Sequence, residues 1–182
     1  PAIHVTAVLL AAFNPMFLFI SASVNNDNLI NLLSAVTLAL LLVIWRNGLT
    51  PRRLWILAVV MALATLSKLS GLSLYPTAAV AITLLNWREK RPFRETIKAG
   101  LVIFAAWAVL AGWWYVRNVV LYGEPTGMDR MIAIIGARET TVTTSSLIDE
   151  FEGLRLSFWG VFGMLNVIAP QWVLDYGDAL AI

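Results

Sequence analysis

Three groups of polar side chains interrupt this largely apolar chain, and their types and spacing could support chemistry. They are Lys68, Arg117 and the run Asn25-Asn26-Asp27. A lysine ammonium offers phosphate a point charge, and an arginine guanidinium offers it a planar fork of donors. Amide and carboxylate side chains supply the hydrogen bonds that a sugar hydroxyl needs. These residue types predict binding of an anionic group delivered by a lipid, above all a phosphate.

The residues around Arg117 extend this candidate site. Asn118 follows it directly, and Tyr122 lies four residues after Asn118. Tyr122 and the run Trp113-Trp114-Tyr115 could stack against a sugar or a lipid. The candidate substrate-binding residues are therefore Lys68, Arg117, Asn118, Tyr122, Asn25, Asn26 and Asp27.

Each candidate also has a plainer explanation that stays open. Lys68 could extend its four-carbon stem to the membrane surface. Arg117 could anchor the chain to lipid headgroups, and the aromatic run before it could be an interfacial belt. Asp27 or Asn26 could cap the helix that follows. The functional interpretation depends on all three groups lying on one side of the membrane.

The stretch 54–87 contains Lys68 as its only formal charge and is typical of membrane-spanning sequence. One straight helix of this length would reach ~50 Å, well beyond a hydrocarbon core of ~30 Å. The stretch must therefore fold back as a hairpin. A lysine at that depth costs on the order of 3 kcal/mol unless it has a counter-charge or a wet cavity. The break is marked by Ser67, Ser70, Gly71, Ser73 and Pro76.

Composition indicates the same class. The chain is 59% hydrophobic and 13% charged, with a mean hydropathy of +0.77. The absence of cysteine excludes disulfides and thiolate metal sites, and a single histidine, His4, argues against a zinc site built from histidines. We expect an all-α fold, a polytopic bundle of transmembrane helices.

Five complete spans are predicted, at about 3–22, 29–45, 54–69, 73–87 and 99–116, and a sixth begins at 171. The first is expected to bend gently at Asn14-Pro15. Residues 117–170 are expected to form an outer loop, in which 147–158 make an amphipathic helix on the outer membrane surface. Its apolar face is formed by Leu147, Ile148, Phe151, Leu154 and Phe158.

The basic residues predict the orientation. Eight of the thirteen lie in the two loops 46–53 and 88–98, and the positive-inside rule places both loops in the cytoplasm. Alternating spans then put the polar clusters at 21–28, 67–71 and 117–127 on the outer side. All three candidate groups fall in these outer clusters.

Several blocks of the sequence resemble known membrane enzymes. FNPMFLFISASVNNDNLINLLSAVTLALLL resembles the third-to-fourth-span region of glycosyltransferases that use polyprenyl-phosphate sugars. These enzymes have the GT-C architecture, and the resemblance is above all to glycosyltransferase family 39, the dolichyl-phosphate-mannose-protein mannosyltransferases and their relatives. LSKLSGLSLYP resembles their short lysine-bearing hairpin. WWYVRNVVLYGEPTG followed by SFWGVFGMLNV is similar to a related group of bacterial membrane proteins of unknown function.

The resemblance implies a multi-pass transferase of the bacterial inner membrane with its active site at the outer leaflet. An acceptor would attack the anomeric carbon of the sugar while polyprenyl phosphate leaves. Lys68 and Arg117 would stabilise the leaving phosphate, and Asp27 with its neighbouring asparagines would line the sugar or acceptor pocket. The donor substrate would be a polyprenyl-phosphate sugar, and a divalent metal could assist.

One departure from the family pattern matters. The related enzymes keep their catalytic acidic residues in the outer loop after the first span, upstream of the region that matches here. We therefore expect residues 1–182 to be a piece of a longer protein whose catalytic residues precede Pro1. We also expect this piece alone to be inactive.

Two other classes stay open. A non-catalytic protein that binds or transports a lipid-linked sugar would need the same phosphate and sugar contacts. A purely structural membrane subunit would need neither. An acidic pair in the first outer loop would favour the enzyme. The expected partners are membrane lipid and a lipid-linked sugar, and no nucleic acid is expected.

Overall fold

The structure is a computed structural model that describes residues 2–136, 143–163 and 166–181. These residues are nearly all α-helical, which confirms the predicted fold class. The chain divides into two compact units, the first drawn from Pro1–Asn25 and Arg138–Ile182 and the second from Asn26–Ala137. Parts of the predicted outer loop, at 137–142 and 164–165, lie outside the described residues.

The described elements follow one another in a simple order. They are α1 (Ala2–Ala12), α2 (Pro15–Ser21), α3 (Asp27–Asn47), α4 (Pro51–Ser67), a 3₁₀ turn (Leu69–Ser73), α5 (Leu74–Arg88), α6 (Phe93–Leu110), α7 (Gly112–Tyr122), α8 (Met128–Ile135), α9 (Thr144–Trp159), β1 (Val161–Phe162), β2 (Val167–Ile168) and α10 (Gln171–Ala181).

Capping residues set the turn between α3 and α4. The Thr50 hydroxyl accepts a hydrogen bond from the Arg53 backbone N–H at 3.3 Å, and Pro51 opens α4, a common helix start. The Arg53 guanidinium donates to the carbonyls of Asn47 and Gly48, both at 2.7 Å. The Arg53 side chain at the start of α4 therefore binds the backbone at the end of α3.

The 3₁₀ turn between α4 and α5 depends on a close backbone approach at Gly71. A Cβ added there would lie 2.6 Å from the carbonyl carbon and oxygen of Ala64. No side chain fits in that space, so the turn packs directly on the end of α4 because residue 71 is glycine.

Helix α4 is the centre of the second unit, where it packs against α3 and α6. Its inward side chains are fully buried, and three of them are alanine. Small residues let membrane helices approach closely, which strengthens their packing. The buried residues are Leu57, Ala58, Met61, Ala62 and Ala64, each 0% exposed.

The second unit has two chemically different ends. At the basic end, the α3–α4 and α5–α6 turns meet, because the Arg88 guanidinium donates to the Trp45 carbonyl at 2.7 Å. That guanidinium also lies 4.3 Å from the centre of the Trp45 ring. The opposite end contains the start of α3 and the 3₁₀ turn, and we call it the Lys68 end.

The first unit is built from α1, α2, α9, α10 and a short antiparallel pair in which Val161 faces Ile168. The Asn14 side chain connects two helices of this unit. Its oxygen accepts a hydrogen bond from the Phe17 backbone N–H at 2.9 Å, and its amide donates one to the Phe158 carbonyl at 3.2 Å. The start of α2 is thereby tied to the end of α9.

Two described segments, Asp27–Asn47 and Leu69–Arg88, are long and apolar enough to cross a membrane. Two bent pairs raise this number to four if each is one span: Ile3–Ala12 with Pro15–Ser21, and Phe93–Leu110 with Gly112–Tyr122. Helix α4 has 17 residues, or ~25 Å at the usual helical rise, and is shorter than these segments.

The bends are sharper than the sequence indicated. The break at Asn14-Pro15 turns the chain by 61° rather than gently. Asn14 caps a new helix with Pro15 in its first turn, so the hydrogen-bond ladder restarts there instead of curving. Between α6 and α7 the chain bends by 55°, and helix continues to Tyr122 before Gly123 ends it at φ +78°.

Candidate functional site

Lys68 lies in an extended backbone between α4 and the 3₁₀ turn, with φ −157° and ψ 145°. Its N–H donates to the Ala64 carbonyl at 3.1 Å, and its own carbonyl accepts from the Gly71 N–H at 2.9 Å. The backbone is therefore held on both sides. The side chain is 42% exposed, so its ammonium remains accessible.

The ammonium of Lys68 forms an ion pair with the carboxylate of Asp27. Asp27 opens α3, where the unpaired N–H groups of the first turn favour a negative charge. The carboxylate thus supplies a counter-charge to the ammonium. Because the two residues are 41 positions apart, the pair also links the start of α3 to the turn that follows α4.

Two hydrogen bonds flank this ion pair. The Asn26 side-chain amide donates to the Ser67 carbonyl at 3.0 Å, and the Ser67 hydroxyl donates to the Asn26 carbonyl at 3.3 Å. Asn26 occupies the N-cap position of α3, but its side chain makes no capping bond. Its amide serves the neighbouring helix instead. Asn26, Asp27, Ser67 and Lys68 therefore form one contiguous group, the Lys68 cluster.

Arg117 lies on α7, and its guanidinium lies over an aromatic ring of the same helix. Its guanidinium is 5.1 Å from the centre of the Trp114 ring. Among the described residues it makes no salt bridge. Trp113 is 57% exposed and Trp114 40% exposed, as expected for an interfacial belt.

The other two candidates on α7 have separate contacts. Asn118 is only 3% exposed, and its amide donates to the Pro125 carbonyl at 3.1 Å, which fixes the turn after α7. Tyr122 is 45% exposed, and the Arg130 guanidinium lies 5.7 Å from the centre of its ring. Asn118 is thus a positioning residue in this structure, whereas Tyr122 presents an accessible ring.

The structure brings together three of the seven predicted site residues, Asn26, Asp27 and Lys68. Arg117, Asn118 and Tyr122 form a second group on α7. Asn25 is exposed and belongs to the first unit. Sequence reasoning treated Ser67 only as part of the helix break and missed its reciprocal bonds with Asn26. No spacing signal could reveal this contact across 41 residues.

A second charged cluster, absent from the sequence-based prediction, lies in the first unit. The Arg155 guanidinium donates to Asp178 at 2.6 Å, to Glu152 at 2.7 Å and to Asp175 at 3.4 Å. The bonds to Asp178 and then Glu152 raise the pKa of Arg155 further above its ordinary value. The spacing of Asp175 and Asp178, three residues apart on α10, is the signal that could have indicated it.

The described residues contain no group of three or more histidine, aspartate or glutamate side chains that could hold a metal ion. The acidic residues around Arg155 are each directed at its guanidinium. The candidate chemistry is therefore that of the Lys68 cluster and the α7 residues.

Comparison with known proteins identifies a family but gives no activity. No curated protein matches the chain, and no solved structure matches it. One family matches residues 1–180, and its description is "Predicted membrane protein (DUF2142)". The match spans almost the whole sequence and supports the membrane-protein prediction. The chain belongs to this DUF2142 family of membrane proteins.

Proposed function

We propose that this chain is part of an integral-membrane glycosyltransferase of GT-C type, which moves a sugar from a polyprenyl-phosphate donor to an acceptor at the outer leaflet. The observation that carries the proposal is the Lys68–Asp27 ion pair. It places an accessible cation at the end of the second unit opposite the basic loops. By the positive-inside rule, that end faces outward.

The exposure of the ion pair is suited to reversible binding of a phosphate. The Lys68 side chain is 42% exposed and that of Asp27 is 32% exposed, so a lipid phosphate can approach the ammonium and compete with the carboxylate. A half-exposed pair of this kind contributes only about 1 kcal/mol to stability. Exchange of one anion for another at Lys68 is therefore inexpensive.

In the proposed reaction, an acceptor hydroxyl forms a bond to the anomeric carbon as the bond from that carbon to the phosphate oxygen breaks. Negative charge develops on the departing polyprenyl phosphate, and Lys68 stabilises it. Asp27, displaced from the ammonium, accepts a hydrogen bond from a sugar hydroxyl. The acceptor proton passes to a carboxylate base that completes the active site.

Arg117 is the second cation assigned to the phosphate. Its guanidinium carbon lies 5.1 Å from the centre of the Trp114 ring, and its N–H groups are assigned to two phosphate oxygens. Tyr122, with nearly half of its surface accessible, is assigned to stacking against the sugar or the lipid.

An alternative is a protein that binds or transports a lipid-linked sugar without chemistry. The observation in its favour is that Asp27, the carboxylate of the Lys68 cluster, is already committed to Lys68. Such a protein would use the same phosphate contacts and would need no base.

A transfer assay separates these functions. The full-length protein in lipid vesicles is given a radiolabelled polyprenyl-phosphate sugar, and release of the sugar to an acceptor is measured for the native protein, for Lys68→Met and for Lys98→Met. Lys98 is the matched control, since it also forms an exposed ion pair, with Glu95 at 2.9 Å, but at the basic end.

We expect Lys68→Met to lower the transfer rate by ~100-fold, because one preorganised group on the developing charge is lost. Lys98→Met should leave the rate within about twofold, as expected for a surface pair. Donor binding that needs Lys68 without any sugar transfer would establish the binding or transport alternative. Neither binding nor transfer by the native protein would contradict both.

A further inference from the structure

The basic end of the second unit carries a large excess of positive charge. The loops 46–53 and 88–98 contain eight cations against two carboxylates, an excess of six. The two loops lie next to each other, because a Cβ added at Gly48 would lie 3.8 Å from a carboxylate oxygen of Glu89. The cations of both loops therefore belong to one end of the molecule.

Both carboxylates of this end are already used in ion pairs. The pairs join Glu89 to Arg88 and Arg91, and Glu95 to Arg94 and Lys98. Arg53 is bonded to two backbone carbonyls of the turn between α3 and α4. The other three cations, Arg46, Arg52 and Lys90, are exposed and form no salt bridge with any residue that the structure describes. Their charges are available to a partner outside the chain.

Lys90 occupies a backbone position at which glycine is usual. It follows Glu89, the C-cap residue of α5, and its φ is +53°. The Lys90 N–H donates to the Trp87 carbonyl at 3.0 Å, and the Arg91 N–H donates to the Asn86 carbonyl at 2.8 Å. This is the Schellman pattern, whose left-handed residue is most often glycine.

A side chain in this conformation opposes folding, since the left-handed region is strained for residues with a Cβ. Lys90 is the only residue besides glycine with a positive φ in the described part of the chain. No contact of its side chain within the chain offsets that cost. Strained positions of this kind occur often at binding sites, and here the strained residue is an unpaired cation.

Two candidate spans end at this surface. The segments Asp27–Asn47 and Leu69–Arg88, which are long and apolar enough to cross a membrane, both finish at the basic end. Trp45, Trp55 and Trp87 lie near these ends and are exposed, as is typical of side chains at headgroup level. A phospholipid headgroup fits this position better than a nucleic acid or an acidic protein, because it lies at the depth at which the spans end.

We propose that the basic end binds the headgroup of an anionic glycerophospholipid, with phosphate contacts from Arg46, Arg52 and Lys90. The guanidinium groups offer planar forks to phosphate oxygens, and the ammonium offers a point charge. The positive charge of the surrounding loops attracts an anionic lipid in preference to a zwitterionic one. This site is at the opposite end from the Lys68 cluster and does not depend on the proposed transferase activity.

The first test compares two lipids on the native, full-length protein in phosphatidylcholine nanodiscs. One probe is phosphatidylglycerol with a photoreactive group near the top of its acyl chain, and the other is phosphatidylcholine with the same chain. Mass spectrometry identifies the labelled peptides. We expect phosphatidylglycerol to label the segments 45–53 and 87–98 at least ~10-fold more strongly, as attraction to several cations predicts. Equal labelling by the two probes would overturn the proposal.

The second test uses Lys90→Gly, which removes one cation together with the strained side chain. The thermal midpoint should stay the same or rise, whereas the preference for phosphatidylglycerol should fall about fivefold. Lys98→Met is the matched control, because it removes the same charge from an existing ion pair with Glu95, and the preference should change by less than about twofold. Equal losses in both variants would show attraction by total charge alone and would overturn the assignment.

The variant Lys90→Arg keeps the charge and should keep the preference. Adding Arg46→Gln and Arg52→Gln to Lys90→Gly should bring the preference toward one. A native preference in this triple variant would overturn the site. Loss of phosphatidylglycerol labelling on addition of an equimolar polyglutamate peptide or oligonucleotide would show that the surface binds a soluble polyanion and would also overturn the proposal.

Discussion

The two ends of the second unit use charge in different ways. At the basic end, the arginines bond to backbone carbonyls of adjacent turns, as Arg53 does with Asn47 and Gly48, or pair with a neighbour in sequence, as Arg91 does with Glu89 at 2.7 Å. At the Lys68 end, a single lysine pairs with a carboxylate 41 residues away. Charge at the basic end is spread over several contacts, one of them the long-range bond from Arg88 to the Trp45 carbonyl, whereas at the Lys68 end it depends on a single long-range ion pair.

This difference has a physical consequence. A cation in an exposed loop is hydrated, so the loss of one contact costs little. In the proposed topology Lys68 lies beside the hydrocarbon core, where a cation has fewer alternative partners and the loss of one contact costs more. Substitutions of the same type should therefore have larger effects at the Lys68 end than at the basic end.

The largest expected effect comes from Gly71→Ala. Its Cβ would collide with the Ala64 carbonyl group at 2.6 Å, so the 3₁₀ turn must move away from α4 and carry Lys68 with it. We expect the free energy of unfolding to fall by about 3 kcal/mol, measured by thermal denaturation in detergent. Gly100→Ala, where the space is open, should be neutral or stabilising. Equal stability of both variants would show that the turn does not pack on α4 as described.

The second prediction compares one carboxylate from each end. Asp27→Asn removes the counter-charge of Lys68 and should lower the free energy of unfolding by about 1 kcal/mol. Glu89→Gln removes the partner of Arg88 and Arg91 at the basic end and should change it by less than about 0.5 kcal/mol. Thermal denaturation measures both. The comparison fails if Glu89→Gln is the more damaging substitution.

The third prediction concerns the bonds that flank the ion pair. In a double-mutant cycle with Asn26→Ala and Ser67→Ala, we expect a coupling energy of about 0.5–1 kcal/mol, because the Ser67 hydroxyl and the Asn26 side chain support the same junction. Denaturation midpoints of the four proteins give this value. Strictly additive effects would mean that the two bonds act independently.

The smallest effect is expected for Arg117→Leu. An exposed contact between a guanidinium and an indole contributes about 0.5–1 kcal/mol, and hydrophobic packing on Trp114 replaces part of it. Stability should therefore change by less than in Asp27→Asn, whereas binding of a polyprenyl phosphate should weaken. A loss of stability larger than that of Asp27→Asn would make Arg117 a structural residue rather than a ligand-binding one.

Hydropathy was enough to predict the helical membrane class, since apolar runs of this length occur mainly in membrane-spanning helices. It was less informative about helix ends. Helix α6 begins at Phe93, six residues before the apolar run predicted at 99. Arg94, Glu95 and Lys98 are good helix formers that hydropathy counts as loop. Hydropathy alone therefore cannot detect the start of a helix whose first turn is charged.

The partners of the candidate residues could not be predicted. The sequence indicated Lys68 as a charge in need of a counter-ion, but nothing in its spacing indicates Asp27 rather than another carboxylate. The burial of Asn118 and of the polar atoms of Tyr75 and Trp107 depends on how neighbouring helices pack. Such contacts between distant positions need coordinates.

The most direct test of the central claim, that Lys68 serves both the fold and a lipid phosphate, is the neutral pair Asp27→Asn/Lys68→Gln. Two amides can hydrogen-bond to each other, so this double variant should recover most of the stability lost in Asp27→Asn. Its affinity for a polyprenyl-phosphate sugar, measured on the full-length protein in nanodiscs, should be at least ~10-fold weaker than native, as the loss of a charged phosphate contact predicts. A stable double variant that binds the donor as tightly as the native protein would contradict the account.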